Sequence, residues 1–262
     1  MKNNSYHIPN RFSQKIVIVT GAESGIGRAT ATRFVREGAI VYGFGLREVL
    51  GKEWQGSVVN EPGEAHFVVC NVSQYEQVKV EVTKIGERHN RIDVLVNNAA
   101  KFFYGDVTET SEEDWDTVLA TNLKSIFLTS KFAIPFMKAN GGSIVNTASV
   151  HAFATMEKVP AYAASKGAVV SLSRQMAIDH IKDRIRVNSV VVGGVVTDMS
   201  KQHALAMGKT LAELDFVTDE NVLGRAADPE EIAAGITFLA SDDASFVVGT
   251  PFLIDGGLTA DL

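Results

Sequence analysis

Short runs of consecutive apolar residues alternate along this chain with longer stretches in which apolar positions recur every three or four residues. The runs fall at 15–20, 39–44, 65–70, 92–97, 142–148, 185–192 and 250–254, each the length of a buried strand. Helical periodicity fills 26–37, 74–89, 112–138, 160–180 and 229–241. Pro229 after Asp228 is a helix start, with an N-cap and a fixed φ at the first position. Apolar strands separated by helices predict an α/β fold: one doubly wound parallel sheet of about seven strands, with helices on both faces. No linker, repeat or low-complexity run interrupts the pattern. Residues 14–262 are therefore expected to form one domain behind a polar tail at 1–13. The least regular connection, 197–223, is expected to act as a lid.

Ligands in such sheets bind outside the carboxyl ends of the strands, so the residues there carry the functional reading. The first strand runs into Thr20-Gly21-Ala22-Glu23-Ser24-Gly25-Ile26-Gly27, which opens an amphipathic segment. Strand, glycine turn and helix N-terminus make an anion site, with free N–H groups at the positive end of the helix dipole. A second strand at 39–44 completes a βαβ unit, the setting of a dinucleotide pyrophosphate site.

The acid–base candidates lie further along. Tyr162 and Lys166 are spaced i, i+4 on a predicted helix, downstream of a strand that ends at Ser149. A phenol has a reference pKa of about 10, and an adjacent ammonium lowers it. A drop of roughly 3 units needs about 4 kcal/mol of differential stabilisation. A tyrosine so tuned is a general acid/base for an alcohol or ketone, whose oxygen Ser149 could hydrogen-bond. The spacing alone is weak: Tyr75 and Lys79 repeat it among Glu76 and Glu81, as a solvated helix face. His151 follows Ser149 by two residues and should face the same cleft, with packing as the alternative. Phe153 and Met199 flank that place and are expected to line an apolar substrate site.

Taken in order, several motifs resemble the short-chain dehydrogenase/reductase family over about residues 14–258. They are Gly21-x-x-x-Gly25-x-Gly27, Asn97-Asn98-Ala99, Asn122, Ser149, Tyr162 with Lys166, Val187-Asn188, Gly193 with Thr197, and Asp255-Gly256-Gly257. The resemblance implies a Rossmann fold that moves a hydride between a nicotinamide dinucleotide and a secondary alcohol or ketone. It makes Tyr162 the acid/base, Lys166 its tuner and a ribose contact, Ser149 the carbonyl contact, and Asn122 the holder of a relay water. Cofactor contacts are implied at Gly21, Ser24, Gly25, Ile26 and Gly27, and at Asn71 and Val72. They continue at Asn98, Ala99, Tyr162, Lys166, Val195 and Thr197. Four places depart from the family pattern: Asn71 for an aspartate, Ala100 for a glycine, Val192 for a proline, and no acid after the second strand. In that last place Phe44-Gly45-Leu46-Arg47 runs instead. Arg47 could reach a 2′-phosphate, which favours NADP(H) over NAD(H) by a narrow margin, while Glu23 and Glu48 pull the other way.

Composition excludes more than it assigns. The chain is 45% hydrophobic and 21% charged, with a net charge of −6 and both signs scattered, which argues against a nucleic-acid surface. No apolar run is long enough to span a membrane, and residues 1–10 lack the apolar core of a signal peptide. Cys70, the single cysteine, permits no intrachain disulfide and suits a reducing, cytoplasmic setting. The six histidines show no metal-ligand spacing, so no metal site is expected. Apolar helix faces and a C-terminal strand at the sheet edge suggest a homo-oligomer, and the family resemblance suggests a tetramer. Two other functions compete: a catalytically silent dinucleotide-binding sensor or scaffold, and an epimerase or dehydratase using the same tyrosine. Intact Asn122, Ser149, Tyr162 and Lys166 weigh against the first. The short stretch after Gly257 weighs against the second.

Overall fold

In the computed structural model, which describes residues 7–206, 208–210 and 221–260, each apolar run becomes a strand. These are β1 (Ile16–Thr20), β2 (Ile40–Gly45), β3 (Glu64–Val69), β4 (Val94–Asn97), β5 (Gly142–Ser149), β6 (Ile185–Val192) and β7 (Pro251–Ile254). They form one sheet in the order β3-β2-β1-β4-β5-β6-β7, and every pairing is parallel. β1 shows why the runs read as unbroken: all its residues are buried, because both faces of the sheet are covered. Ile16 and Ile18 enter one core, and Val17 and Val19 enter the other.

The helices divide between those cores. On one face α1 (Gly25–Arg36), α2 (Glu48–Ser57) and α8 (Pro229–Ala240) contribute Phe34, Trp54 and Ile232. On the other, α3 (Tyr75–His89), α5 (Ser125–Met137) and α6 (Pro160–His180) contribute Val82, Leu128 and Val169. The start of α8 is as read from the sequence: Asp228 is the N-cap, its N–H donates to the Glu231 carboxylate at 2.9 Å, and Pro229 takes the first helical position. The stretch expected to be one helix at 112–138 is α4 (Glu112–Leu119) and α5 joined by a π-helical turn at Ala120–Lys124.

α2 is an element the periodicity does not predict. Its buried residues are Gly51 and Trp54, so one large apolar side chain anchors the whole helix. The chain ahead of β1 is fastened to the domain. The Glu37 carboxylate, fully buried, accepts from Arg11 Nε at 2.6 Å and Arg33 Nε at 3.0 Å. Phe12 packs edge-on against Phe34. Of the expected tail, residues 1–6 lie outside the described residues. In the expected lid, α7 (Asp198–Ala206) forms the first part, and residues 207 and 211–220 lie outside the described residues. No described helix is long and apolar enough to cross a membrane.

Candidate active site

Strand order reverses between β1 and β4, and the crevice this opens lies at the carboxyl ends of the strands. A cleft of about 980 Å³ runs along it, from Cys70–Gln74 past the glycine loop to Ser149, Tyr162 and α7. The loop geometry demands glycine. Gly21 and Gly25 have φ of +69° and +51°, and a Cβ on Gly27 would lie 2.0 Å from the Gly21 carbonyl oxygen. Behind the loop, Thr20 Oγ1 accepts from the N–H groups of both Asn98 and Ala99, at 2.9 and 3.0 Å. The Asn98 side chain donates back to the Thr20 carbonyl at 3.1 Å. Ser24 is the N-cap of α1, yet its side chain caps nothing. The first-turn N–H groups therefore face the cleft with no side-chain partner, as a pyrophosphate requires. Gly21, Ser24, Gly25 and Ile26 line the cleft, and Gly27 sits behind it as packing.

The opposite wall joins the end of β5 to α6. Tyr162 hydrogen-bonds Ser149, and Ser149 Oγ also contacts the Val192 carbonyl at 3.3 Å. One helical turn on, Lys166 is 2% exposed. Its Nζ donates to the Thr147 carbonyl at 2.7 Å and lies 5.4 Å from the Tyr162 ring centre. Phe102 and His151 meet the same ring edge-on at 5.4 and 5.5 Å. The expected lowering of the tyrosine pKa is not present in this state. Burial pushes Tyr162 up to about 12, against a smaller opposing effect of the Ser149 bond. Burial likewise pulls Lys166 down to about 8. Desolvation penalises the charged form of each, so it moves acid and base in opposite directions.

The remaining expectations divide. Asn71, Val72, Asn98, Ala99, Val195, Thr197, His151 and Met199 all line the cleft. Thr197 is fixed by Ser200, whose Oγ accepts from its N–H at 2.8 Å. The Asn71 amide oxygen already accepts from the Ser73 N–H and hydroxyl, at 3.1 and 2.8 Å. Asn122 is not part of the lining. Its amide is held between the Lys101 backbone, at 2.7 and 2.9 Å, and Ser165 Oγ at 3.1 Å. Phe153 is not brought to the cleft either: it follows a 3-10 turn and stands 54% exposed. Sequence reasoning passed over Glu113, Asp116 and Thr117 of α4, and over Leu258 and Thr259 after β7, all of which line the cleft. No sequence signal marked the α4 residues.

A parallel sheet with a glycine cradle at its switch point and a Ser–Tyr–Lys wall beside it defines a dinucleotide-dependent oxidoreductase. A family model described as enoyl-(acyl carrier protein) reductase matches residues 21–259. The chain is 41% identical to meso-2,3-butanediol dehydrogenase of Serratia marcescens, covering 95% of this chain and 96% of that protein. It is 38% identical to cyclopentanol dehydrogenase of Comamonas testosteroni, over 96% and 99% of the two chains. Among solved structures, aldohexose dehydrogenase of Thermoplasma acidophilum superimposes with a TM-score of 0.85 at 34% identity, over 97% and 98%. The chain belongs to the short-chain dehydrogenase/reductase family. Its chemistry is the nicotinamide-dependent oxidoreduction of alcohols and ketones, and the silent-scaffold alternative is not favoured.

Proposed function

We propose that the enzyme interconverts a small secondary alcohol and its ketone, with Tyr162 as the acid/base. The observation that carries this reading is the Tyr162 hydroxyl hydrogen-bonded to Ser149, with Lys166 one turn behind it. When bound, the dinucleotide supplies or accepts the hydride. With its pKa near 12, Tyr162 holds its proton across the neutral range, ready for a carbonyl oxygen in the reducing direction. Ser149 orients that oxygen from the other side. Oxidation needs the phenolate, which a protonated Lys166 beside the ring stabilises. Asn122 is a positioning residue, tying the Lys101 backbone to Ser165 on α6.

The glycine cradle, with Ser24 and Ile26, would hold the pyrophosphate, and Asn71 and Val72 the adenine. Asn98, Ala99 and Lys166 would hold ribose, and Val195 and Thr197 the nicotinamide. Phe102, Met156 and Met199 give the reacting end an apolar wall, with His151 beside it. Such a wall suits the compact alcohols in the relatives' names, a butanediol or a cyclopentanol, better than a long acyl chain. Cytoplasmic residence and assembly into a homotetramer complete the reading. Arg47, which tips the sequence toward NADP(H), is held by Ser24 at 2.5 Å, Glu23 at 3.6 Å and Asp198 at 3.7 Å. The cofactor preference therefore turns on what surrounds it.

The test is an absorbance screen of short-chain diols, cyclic alcohols and their ketones with each nicotinamide dinucleotide. Turnover of at least one pair is expected. Tyr162→Phe should lower it by about 10²–10⁴-fold, the usual weight of general acid–base catalysis, with dinucleotide affinity little changed. Near-normal turnover in that variant would sink the mechanism.

A further inference from the structure

The carboxylate missing from the end of β2 is present in space. Glu23 rises from the glycine loop onto Gly45, the last residue of β2. A Cβ built on Gly45 would lie 2.1 Å from Glu23 Oε2, 2.5 Å from Cδ and 2.9 Å from Oε1. The Glu23 carboxylate thus occupies the space in which an acidic side chain grown from residue 45 would place its own. Glycine at 45 is what leaves that space open.

The group is built in. Glu23 is 8% exposed, and its Oε1 accepts from the Leu46 N–H at 3.2 Å. Oε2 is buried with no hydrogen-bond partner. An ionised oxygen left in that state is costly, and a hydroxyl donor would satisfy it. Glu23, Gly45, Leu46 and Arg47 together line this end of the cleft. In a parallel dinucleotide-binding sheet an acid at the end of the second strand takes the ribose 2′-hydroxyl.

Charge in this corner points the same way. Arg47 is the single cation among the described residues lining it, and both Glu23 and Asp198 face its guanidinium. Lys201, the next cation, is 3.8 Å from Asp198. A 2′-phosphate in this corner would sit against the Glu23 carboxylate. Arg47 lies across that carboxylate, with its guanidinium turned to Ser24 and Asp198 and its side chain 45% exposed.

We propose that Glu23 is the residue that selects the cofactor: it accepts the ribose 2′-hydroxyl, repels a 2′-phosphate, and makes the enzyme NAD(H)-preferring. This rests on the dinucleotide-dependent reading above, and it shifts the weight that the sequence places on Arg47. The experiment is calorimetric titration of wild type and Glu23→Gln with NAD⁺ and with NADP⁺, without substrate. Wild type should bind NAD⁺ more tightly. In Glu23→Gln the ratio of the two affinities should move toward NADP⁺ by roughly 10- to 100-fold, the weight of a hydrogen bond to a charged group. Tighter binding of NADP⁺ by wild type, or an equal change for both ligands in the variant, overturns the proposal. If Glu23→Gln does not fold, the wild-type ranking decides alone. Binding of neither dinucleotide would overturn the oxidoreductase reading instead.

Discussion

Lys166 is the residue where burial and function pull hardest against each other. Its pKa falls from 10.5 to about 8 because the folded wall desolvates the ammonium. Between those two values the unfolded chain binds more protons than the folded one, so the Lys166 contribution to stability rises with pH across that window. Below pH 8 both states are charged, and the full penalty, roughly 3 kcal/mol, applies. Tyr162 acts in the opposite sense, because its raised pKa costs stability as pH climbs from 10 toward 12. Cys70, also pushed up to about 12 by burial, acts likewise from pH 9. Cys70 is shared with a Lys166→Met variant and cancels when it is compared with wild type, and the Tyr162 effect lies above pH 10. Urea midpoints of the cofactor-free proteins should therefore show the variant losing ground to wild type from pH 8 to pH 10. Parallel curves would show that the ammonium is not penalised. A bound dinucleotide should shrink the effect if its ribose satisfies Nζ.

At the scale of elements, α2 gives a matched pair of tests. A Cβ on Gly51 would meet the Phe67 ring at 2.2 Å, whereas one on Gly56 meets nothing within 4 Å. Gly51→Ala should destabilise by roughly 1–3 kcal/mol through overpacking. Gly56→Ala should stabilise by up to about 1 kcal/mol through helix propensity. Denaturant midpoints that move the same way would refute this account of the helix. The same glycines explain why α2 is hidden in the sequence: a helix seated by one tryptophan and a close backbone approach leaves almost no periodic signal. The seven strands were legible because a sheet covered on both faces reads as unbroken apolar runs. The π turn was not, since its flanking residues Leu119 and Ser125 keep helical dihedrals. That Ser149, Tyr162 and Lys166 meet on one wall was legible because Ser149 ends a strand and Tyr162 and Lys166 share a helix face. The Glu23–Gly45 contact joins residues from different elements, and only the packing of the glycine loop on β2 reveals it. Phe153 misled for the same reason: proximity in sequence to Ser149 does not fix which way a turn points.

The whole molecule still carries apolar surface that the isolated chain leaves in water. On α4 and α5, Trp115 and Phe127 are 37% and 52% exposed. Near the sheet edge, Phe246 is 100%, Val248 41% and Leu253 49% exposed. Among the described residues β7 pairs only with β6, so its outer edge offers backbone groups to a partner. Two apolar patches on different elements are what a tetramer with dihedral symmetry uses, because each subunit must present more than one interface. A single patch would close as a dimer. Light scattering at micromolar concentration should therefore give about four times the mass of one chain. Phe246→Asp and Phe127→Asp, which touch different patches, should each reduce the assembly to a dimer, and the double variant to a monomer. Burying one carboxylate against an apolar partner costs several kcal/mol, enough to open an interface of ordinary size. Ser149, Tyr162 and Lys166 lie in neither patch, so dinucleotide titrations check that each variant remains folded. A wild-type monomer, or a tetramer unmoved by both substitutions, would mean that these surfaces are not where the subunits meet.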